Sequence, residues 1–260
     1  MSGLYEALKE QIAKEKGAAL ATVVRGAEHV GAKLLVLPDK TTQGTLGLPE
    51  LDALALVDAE RAMWKGTAQI HTYTLAETAV TQQTPSYDVF IEGFPPPPSL
   101  IIVGAGHIAI PLTTFARTLN YHVTVVDARA AFATRERFPN ANEIIVEWPD
   151  EVLERMDLNP STSVAVLTHD PKFDEPTLKV VLKREVGYIG AIGSRKTNEE
   201  RAERLKQQGL TDEQVRRIHG PIGLDIGSKI PEEIALAIMA EIVATRYGKD
   251  TNAVSLRKNK

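Results

Sequence analysis

The chain contains no cysteine. That single absence excludes disulfides, thiolate nucleophiles, iron–sulfur clusters and cysteine-ligated zinc, and it fits a cytoplasmic protein. An excess of positive charge is missing too. Lys and Arg total 30 against 34 for Asp and Glu, a formal net charge of −4. No broad cationic surface for nucleic acid or an anionic membrane is expected from that balance. Aromatic residues are sparse, at 5%. No apolar run approaches the roughly 18 residues of a membrane span. The opening MSGLYEALKEQIAKEK has an amphipathic helical pattern and not that of a signal peptide. The nucleophile elbow G-x-S-x-G and the metal patterns H-x-H and H-E-x-x-H are absent as well.

What remains is an ordinary globular composition: 260 residues, 43% hydrophobic and 25% charged, enough for one or two domains. Leu4, Leu8 and Ile12 recur at four-residue spacing and predict a helix over 4–15. Strands are expected at 18–24 and 33–37, a helix at 48–64, and strands at 68–74 and 87–92. Residues 1–93 therefore predict a small α+β domain. Pro95–Pro98 follow. Prolines donate no ladder hydrogen bonds and favour an extended, stiff conformer, so 94–98 reads as a semi-rigid linker, with a proline-rich loop inside one domain as the other reading. From 99 to 248 strands alternate with helices: strands at 100–103, 122–127, 143–146, 163–167 and 188–192, and helices at 108–119, 175–184, 195–208, 212–217 and 231–246. That rhythm predicts an α/β, Rossmann-like domain with a mainly parallel sheet and helices on both faces. The tail 249–260 is polar. No internal repeat is present.

The chemistry concentrates at predicted strand ends. LIIVGAGHIAIP, residues 100–111, runs four apolar residues into Gly104-Ala105-Gly106 and then a helix start. Gly104-x-Gly106-x-x-Ala109 is a dinucleotide fingerprint in its proper strand–turn–helix setting, where backbone N–H groups close on a phosphate. Asp127 stands 21 residues after Gly106, at the end of the next strand, where a carboxylate accepts from ribose hydroxyls. Asp127 repels a 2′-phosphate; Arg129 attracts one. Thr168-His169-Asp170 follows the strand SVAVL, and ligands in open parallel sheets collect beyond such carboxyl ends; the competing reading is a plain loop and an Asp turn before Pro171. Gly193-Ser194-Arg195-Lys196 opens a helix with cations that oppose its dipole, which favours an anionic ligand over a merely solvated helix start. His219–Gly227 is a glycine-rich loop that either closes over ligand, forms a contact between copies or simply connects. His107, His169 and His219 fall near the same predicted face, but their spacing matches no metal pattern, and no metal site is assigned. His107 reads instead as a polar contact to a bound ligand. No catalytic residue is assigned.

Taken as an ordered set, FPPPPSLIIVGAGHIAIPL, VVDARAAFATRERFPNA, LTHDPKFD, YIGAIGSRKT and HGPIGLDIGSKIPEEIALAIMAEI resemble the xanthine dehydrogenase accessory protein family, the XdhC and CoxI group. ALATVV, GAKLLV and QGTLG resemble that family's small first domain more loosely. The resemblance implies a chaperone that binds the molybdopterin-type cofactor, assists its sulfuration and hands it to xanthine dehydrogenase or a related molybdenum hydroxylase. It implies Gly104, Gly106, His107, Asp127, His169, Asp170, Gly193, Ser194 and Arg195 as the ligand-facing set. The chain departs from the family in three places. Gly44–Glu50 carries no cysteine before its acid, the Arg25–Gly31 loop lacks a serine–proline run, and Ile230 replaces a helix-capping Thr, a loss of about 1 kcal/mol.

Three functions are consistent with this reading: a cofactor-insertion chaperone, an NAD(P)-dependent oxidoreductase or nucleotide-sensing protein, and a scaffold that recruits the client enzyme. The first is favoured by the lack of an acid/base or hydride-site constellation. Its expected partner is a xanthine dehydrogenase-type molybdenum enzyme, with no nucleic acid and no membrane. The two-domain build permits a homodimer.

Overall fold

A computed structural model describes residues 2–75 and 85–249. The chain divides into two compact units, one up to Pro96 and one from Pro97. The polar tail expected over 249–260 lies outside the described residues apart from Lys249.

The first unit is built on five antiparallel strands: β1 (Ala18–Arg25), β2 (Lys33–Val36), β3 (Thr42–Thr45), β4 (Ala68–Thr74) and β5 (Ser86–Phe94). Their order is β3-β2-β1-β5-β4. Alternate residues face opposite ways along a strand, and this decides the two cores. Ala19, Ala21 and Val23 pack with Leu51, Ala55 and Ala59 of helix α2 (Pro49–Lys65). Ala18 packs with Leu8 of helix α1 (Ser2–Ala13). Pro95 lies against Gly66, and Pro96 against Gly17.

The second unit holds six parallel strands: β6 (Ser99–Val103), β7 (His122–Val126), β8 (Glu143–Ile145), β9 (Thr162–Val166), β10 (Tyr188–Ala191) and β11 (Ile218–His219). Their spatial order is β8-β7-β6-β9-β10-β11. This is the doubly wound order 3-2-1-4-5-6 of dinucleotide-binding sheets. The alternation again sorts side chains to two faces. Leu100, Ile102, Val123 and Val125 meet α3 (Ala109–Thr118) and α8 (Pro231–Arg246). Ile101, Val103, Val164 and Val166 meet α4 (Pro149–Arg155), α5 (Pro171–Val181), α6 (Arg195–Gln207) and α7 (Asp212–Arg216).

Differences from the sequence expectations are local. β3, β11 and α4 add to the expected elements. The helix expected from 175 begins at Pro171, because Asp170 caps it by accepting from the Lys172 N–H at 3.0 Å. At α8, Ile230 supplies no side-chain cap. Glu233 takes over part of that task, accepting from the N–H of Lys229 at 2.8 Å and of Ile230 at 3.4 Å.

Candidate functional site

In this strand order the winding of the sheet switches sides between β6 and β9, the place beyond the carboxyl ends where open α/β sheets hold ligands in a crevice. The loop after β6 is the glycine turn. Gly104 sits at φ +103°, and a Cβ there would lie 2.6 Å from Thr168 Cγ2 and 3.0 Å from its backbone N. A side chain is therefore excluded by conformation and by the neighbouring loop. Gly106 is the opposite case. A Cβ on it would meet nothing within 4 Å, so its backbone faces open space. No side chain caps the N-terminus of α3 just beyond. Its first N–H groups have no intrahelical acceptor and lie at the positive end of the helix.

Asp127 directly follows β7 and is 3% exposed. Its Oδ2 accepts from the Ala105 N–H at 2.8 Å and from Arg129 Nη2 at 2.7 Å. Its Oδ1 accepts from the Arg129 N–H and Nε, both at 2.9 Å. Burial opposes the charged form, but the Arg129 guanidinium and the two N–H groups outweigh it and hold the carboxyl below its ordinary range. The carboxylate thus ties the glycine turn to β7 and grips Arg129. The Arg129 side chain stays 46% exposed, with its guanidinium 4.4 Å from the Phe132 ring and 6.0 Å from that of Phe173. Phe173 stacks on Trp148 at 5.0 Å, and the Lys172 ammonium stands 4.8 Å from the Trp148 ring.

Across the crevice the polar groups are buried. Thr168 donates to Asp174, whose Oδ2 accepts from Arg201 Nη2 at 2.9 Å. Both members of that ion pair are under 5% exposed. The same Nη2 donates to the Ile192 carbonyl at 2.9 Å, and Nη1 donates to Asn198 Oδ1 at 2.5 Å. Asn198 Nδ2 in turn donates to the carbonyls of Gly193 and Ser194, at 3.2 and 3.0 Å. One connected network therefore fixes the loops after β9 and β10. Burial keeps the Asp174 carboxyl above its ordinary range, against the opposing pull of Thr168 and Arg201.

The sequence pattern of the XdhC Rossmann domain matches residues 100–242, over half the chain. The chain belongs to the XdhC family. The pattern of the XdhC and CoxI family matches residues 11–74 of the same XdhC chain. Among curated relatives, a Bacillus subtilis protein named as a probable xanthine dehydrogenase component is 32% identical over 176 residues, 66% of this chain and 51% of that protein. The molybdenum cofactor insertion chaperone PaoD of Escherichia coli is 26% identical over 96 residues, 37% of this chain and 30% of that one. The XdhC chain thus spans about half or less of the length of these relatives. A crystal structure described as a xanthine dehydrogenase from Bacillus halodurans shares the fold. Its TM-score is 0.53 at 22% identity, covering 96% of this chain and 98% of that one.

Within this XdhC fold the expected site residues gather at the carboxyl ends of four neighbouring strands. Gly104, Gly106 and His107 follow β6, Asp127 and Arg129 follow β7, His169 and Asp170 follow β9, and Gly193, Ser194 and Arg195 follow β10. His107 and His169 are exposed. Asp170 and Ser194 spend their side chains as helix caps, Ser194 by accepting from the Thr197 N–H at 3.1 Å. Arg195 lines a cavity of about 490 Å³ with Arg201, Arg216 and Gly220. His219 departs from the group. It faces α8, with Nδ1 3.5 Å from Glu241, and its ring lies 4.7 Å from that of Tyr188. Among the described residues no three His, Asp or Glu side chains form a metal site.

Sequence reading missed Asp174, Asn198 and Arg201. The one available signal was Asp174, an acid in the first turn of α5. It missed the aromatic series too, because Phe132, Trp148 and Phe173 come from three separate loops and helices.

Proposed function

We propose that the crevice between β6 and β9 binds the phosphate end of a molybdopterin-type cofactor, and that the chain carries this cofactor to a xanthine dehydrogenase-type hydroxylase. The open space at Gly106 is the observation that carries the reading. A phosphate placed there meets exposed backbone N–H groups and the positive end of α3, without displacing any side chain. The residues fit that end of the group and not its metal: the chain has no cysteine, and no metal-ligating cluster occurs among the described residues. The molybdenum cofactor, once delivered, supplies redox chemistry to the client enzyme. This chain's own residues bind and orient. Gly104 brings the turn against Thr168, Asp127 pins Ala105, and the Asp174–Arg201 pair holds the facing loops. Sulfur for maturation comes from a partner, since no thiol is present to carry it.

The relatives named for xanthine dehydrogenase and for molybdenum cofactor insertion support this reading over an NAD(P)-dependent oxidoreductase. The Arg129 grip on Asp127 counts against NAD alone, whose ribose diol that acid would have to hold. Purification from a host that makes the cofactor tests the proposal. Native mass spectrometry should find pterin bound to the wild type and absent from Gly106→Asp. That variant should fold normally, since Gly106 needs no positive φ and its Cβ meets nothing. Wild-type chain that emerges free of pterin while binding NADH tightly sinks the delivery role.

A further inference from the structure

An ionised carboxylate is an acceptor only, with about four lone-pair positions. In dinucleotide-binding sheets the acid at the end of the second strand offers these positions to the ribose hydroxyls. Asp127 stands at that place, and all four positions are taken: Ala105 N–H, Arg129 N–H, Arg129 Nε and Arg129 Nη2. Nothing remains for a diol. What this end of the crevice offers is a cation. The fork uses Nε and Nη2 of Arg129 and leaves Nη1 free of Asp127, on a side chain 46% exposed. Flanking rings keep the guanidinium from swinging away, with Phe132 at 4.4 Å and Phe173 at 6.0 Å. Two more cations border the same rings. Arg137 lies 5.4 Å from Phe132, and Lys172 lies 4.8 Å from Trp148, which stacks on Phe173. The other acid that acts on Arg129 is Asp170, already accepting from the Lys172 N–H.

We propose that Arg129 is a specificity-determining residue. It turns the diol-reading position of the sheet into an anion-reading one, so the site selects a ligand with two phosphate-like groups. One group lies at the Gly104–His107 turn and the second beside Arg129, where a plain dinucleotide carries ribose hydroxyls. The inference rests on the crevice as the ligand site, not on delivery of the cofactor.

Calorimetry on the full chain with two probes tests it: adenosine 2′,5′-bisphosphate, which carries the second phosphate, and AMP, which does not. At fixed ionic strength the wild type should bind the bisphosphate about tenfold more tightly, the scale of one added charge-assisted contact. Arg129→Ala should abolish that preference and tighten AMP binding, because the Asp127 oxygens are released. Arg129→Gln, which removes the charge but retains a hydrogen-bonding amide, should also bring the two affinities together. Thermal melting verifies that each variant is folded. Equal affinities in the wild type, a preference that survives in both variants, or no binding of either probe would overturn the assignment. A chain that carries pterin yet shows no preference sinks this inference alone. A clear preference in a chain that never carries pterin sinks the delivery role alone.

Discussion

Two aspartate–arginine pairs flank the crevice, one on each side of β6 and β9, and they differ in what they leave to solvent. In the Asp127–Arg129 pair the acid is buried and the arginine is 46% exposed. In the Asp174–Arg201 pair both partners are buried, at 2% and 4% exposure. The arginine of the second pair spends its donors on Asp174, Asn198 and the Ile192 carbonyl. The first pair presents a cation and the second closes on itself. The same two residue types thus leave a cation at the surface on one side and fix loops on the other, and the position of the arginine decides which. Arg129 lies two residues from its acid on one loop, whereas Arg201 reaches across from another helix.

The sharpest way to break this comparison is to remove Arg201. Arg201→Ala leaves Asp174 buried without its partner, a loss of about 3–5 kcal/mol, read from urea unfolding. Replacing Asp174 and Arg201 together with apolar residues of similar volume should return much of that loss, since well-packed apolar groups substitute for buried pairs. If Arg129→Ala proved as destabilising as Arg201→Ala, the distinction between the pairs would be lost. Next in size is Gly104→Ala. A side chain in the left-handed region costs about 1–2 kcal/mol, and here it also pushes on the Thr168 backbone. The melting temperature should fall by more than for Gly106→Ala, which meets open space.

A smaller effect is expected from acid. The Asp127 carboxyl titrates lower in the folded chain than in the unfolded one, where its value is about 3.9. Its stabilisation is therefore complete above that value and is lost as pH falls through the folded value. Asp127→Asn should be less stable at pH 7 and show a shallower decline as pH falls below about 3.9, followed by denaturant midpoints. The smallest effect is Ser194→Ala. Loss of the α6 cap should cost about 1 kcal/mol with no change in ligand affinity. A drop in affinity would extend the recognition surface to the β10 side.

The comparison also explains what was legible in the sequence. The parallel sheet could be read from 100 onward because its central strands are apolar runs ending in glycine or a polar cluster, while the two-residue β11 offers no run to read. The candidate site residues could be placed because the doubly wound order puts those clusters at one edge. The partners of the polar groups could not be read. Nothing local announces that Arg129 folds back onto Asp127 and fills it, or that Arg201 crosses to Asp174, since those pairings exist only once the strands are ordered. Thr42–Thr45 escaped for a different reason. Its four residues are all exposed, so no alternation marks the strand; it is held by pairing with β2, while the Asp52 carboxylate anchors the turn that follows, accepting from Thr45 and Leu46. Pro149–Arg155 is too short for a helical period to show.

The open turn at Gly106 has a consequence for endurance. The loops beyond β6 and β9 meet where Gly104 lies against Thr168, so a ligand seated there would bridge the two halves of the doubly wound unit. Because it binds only the folded form, a ligand at 100 times its dissociation constant adds about 2.7 kcal/mol of stability. On the proposed function, the ligand-bound chain should outlast the free one under protease.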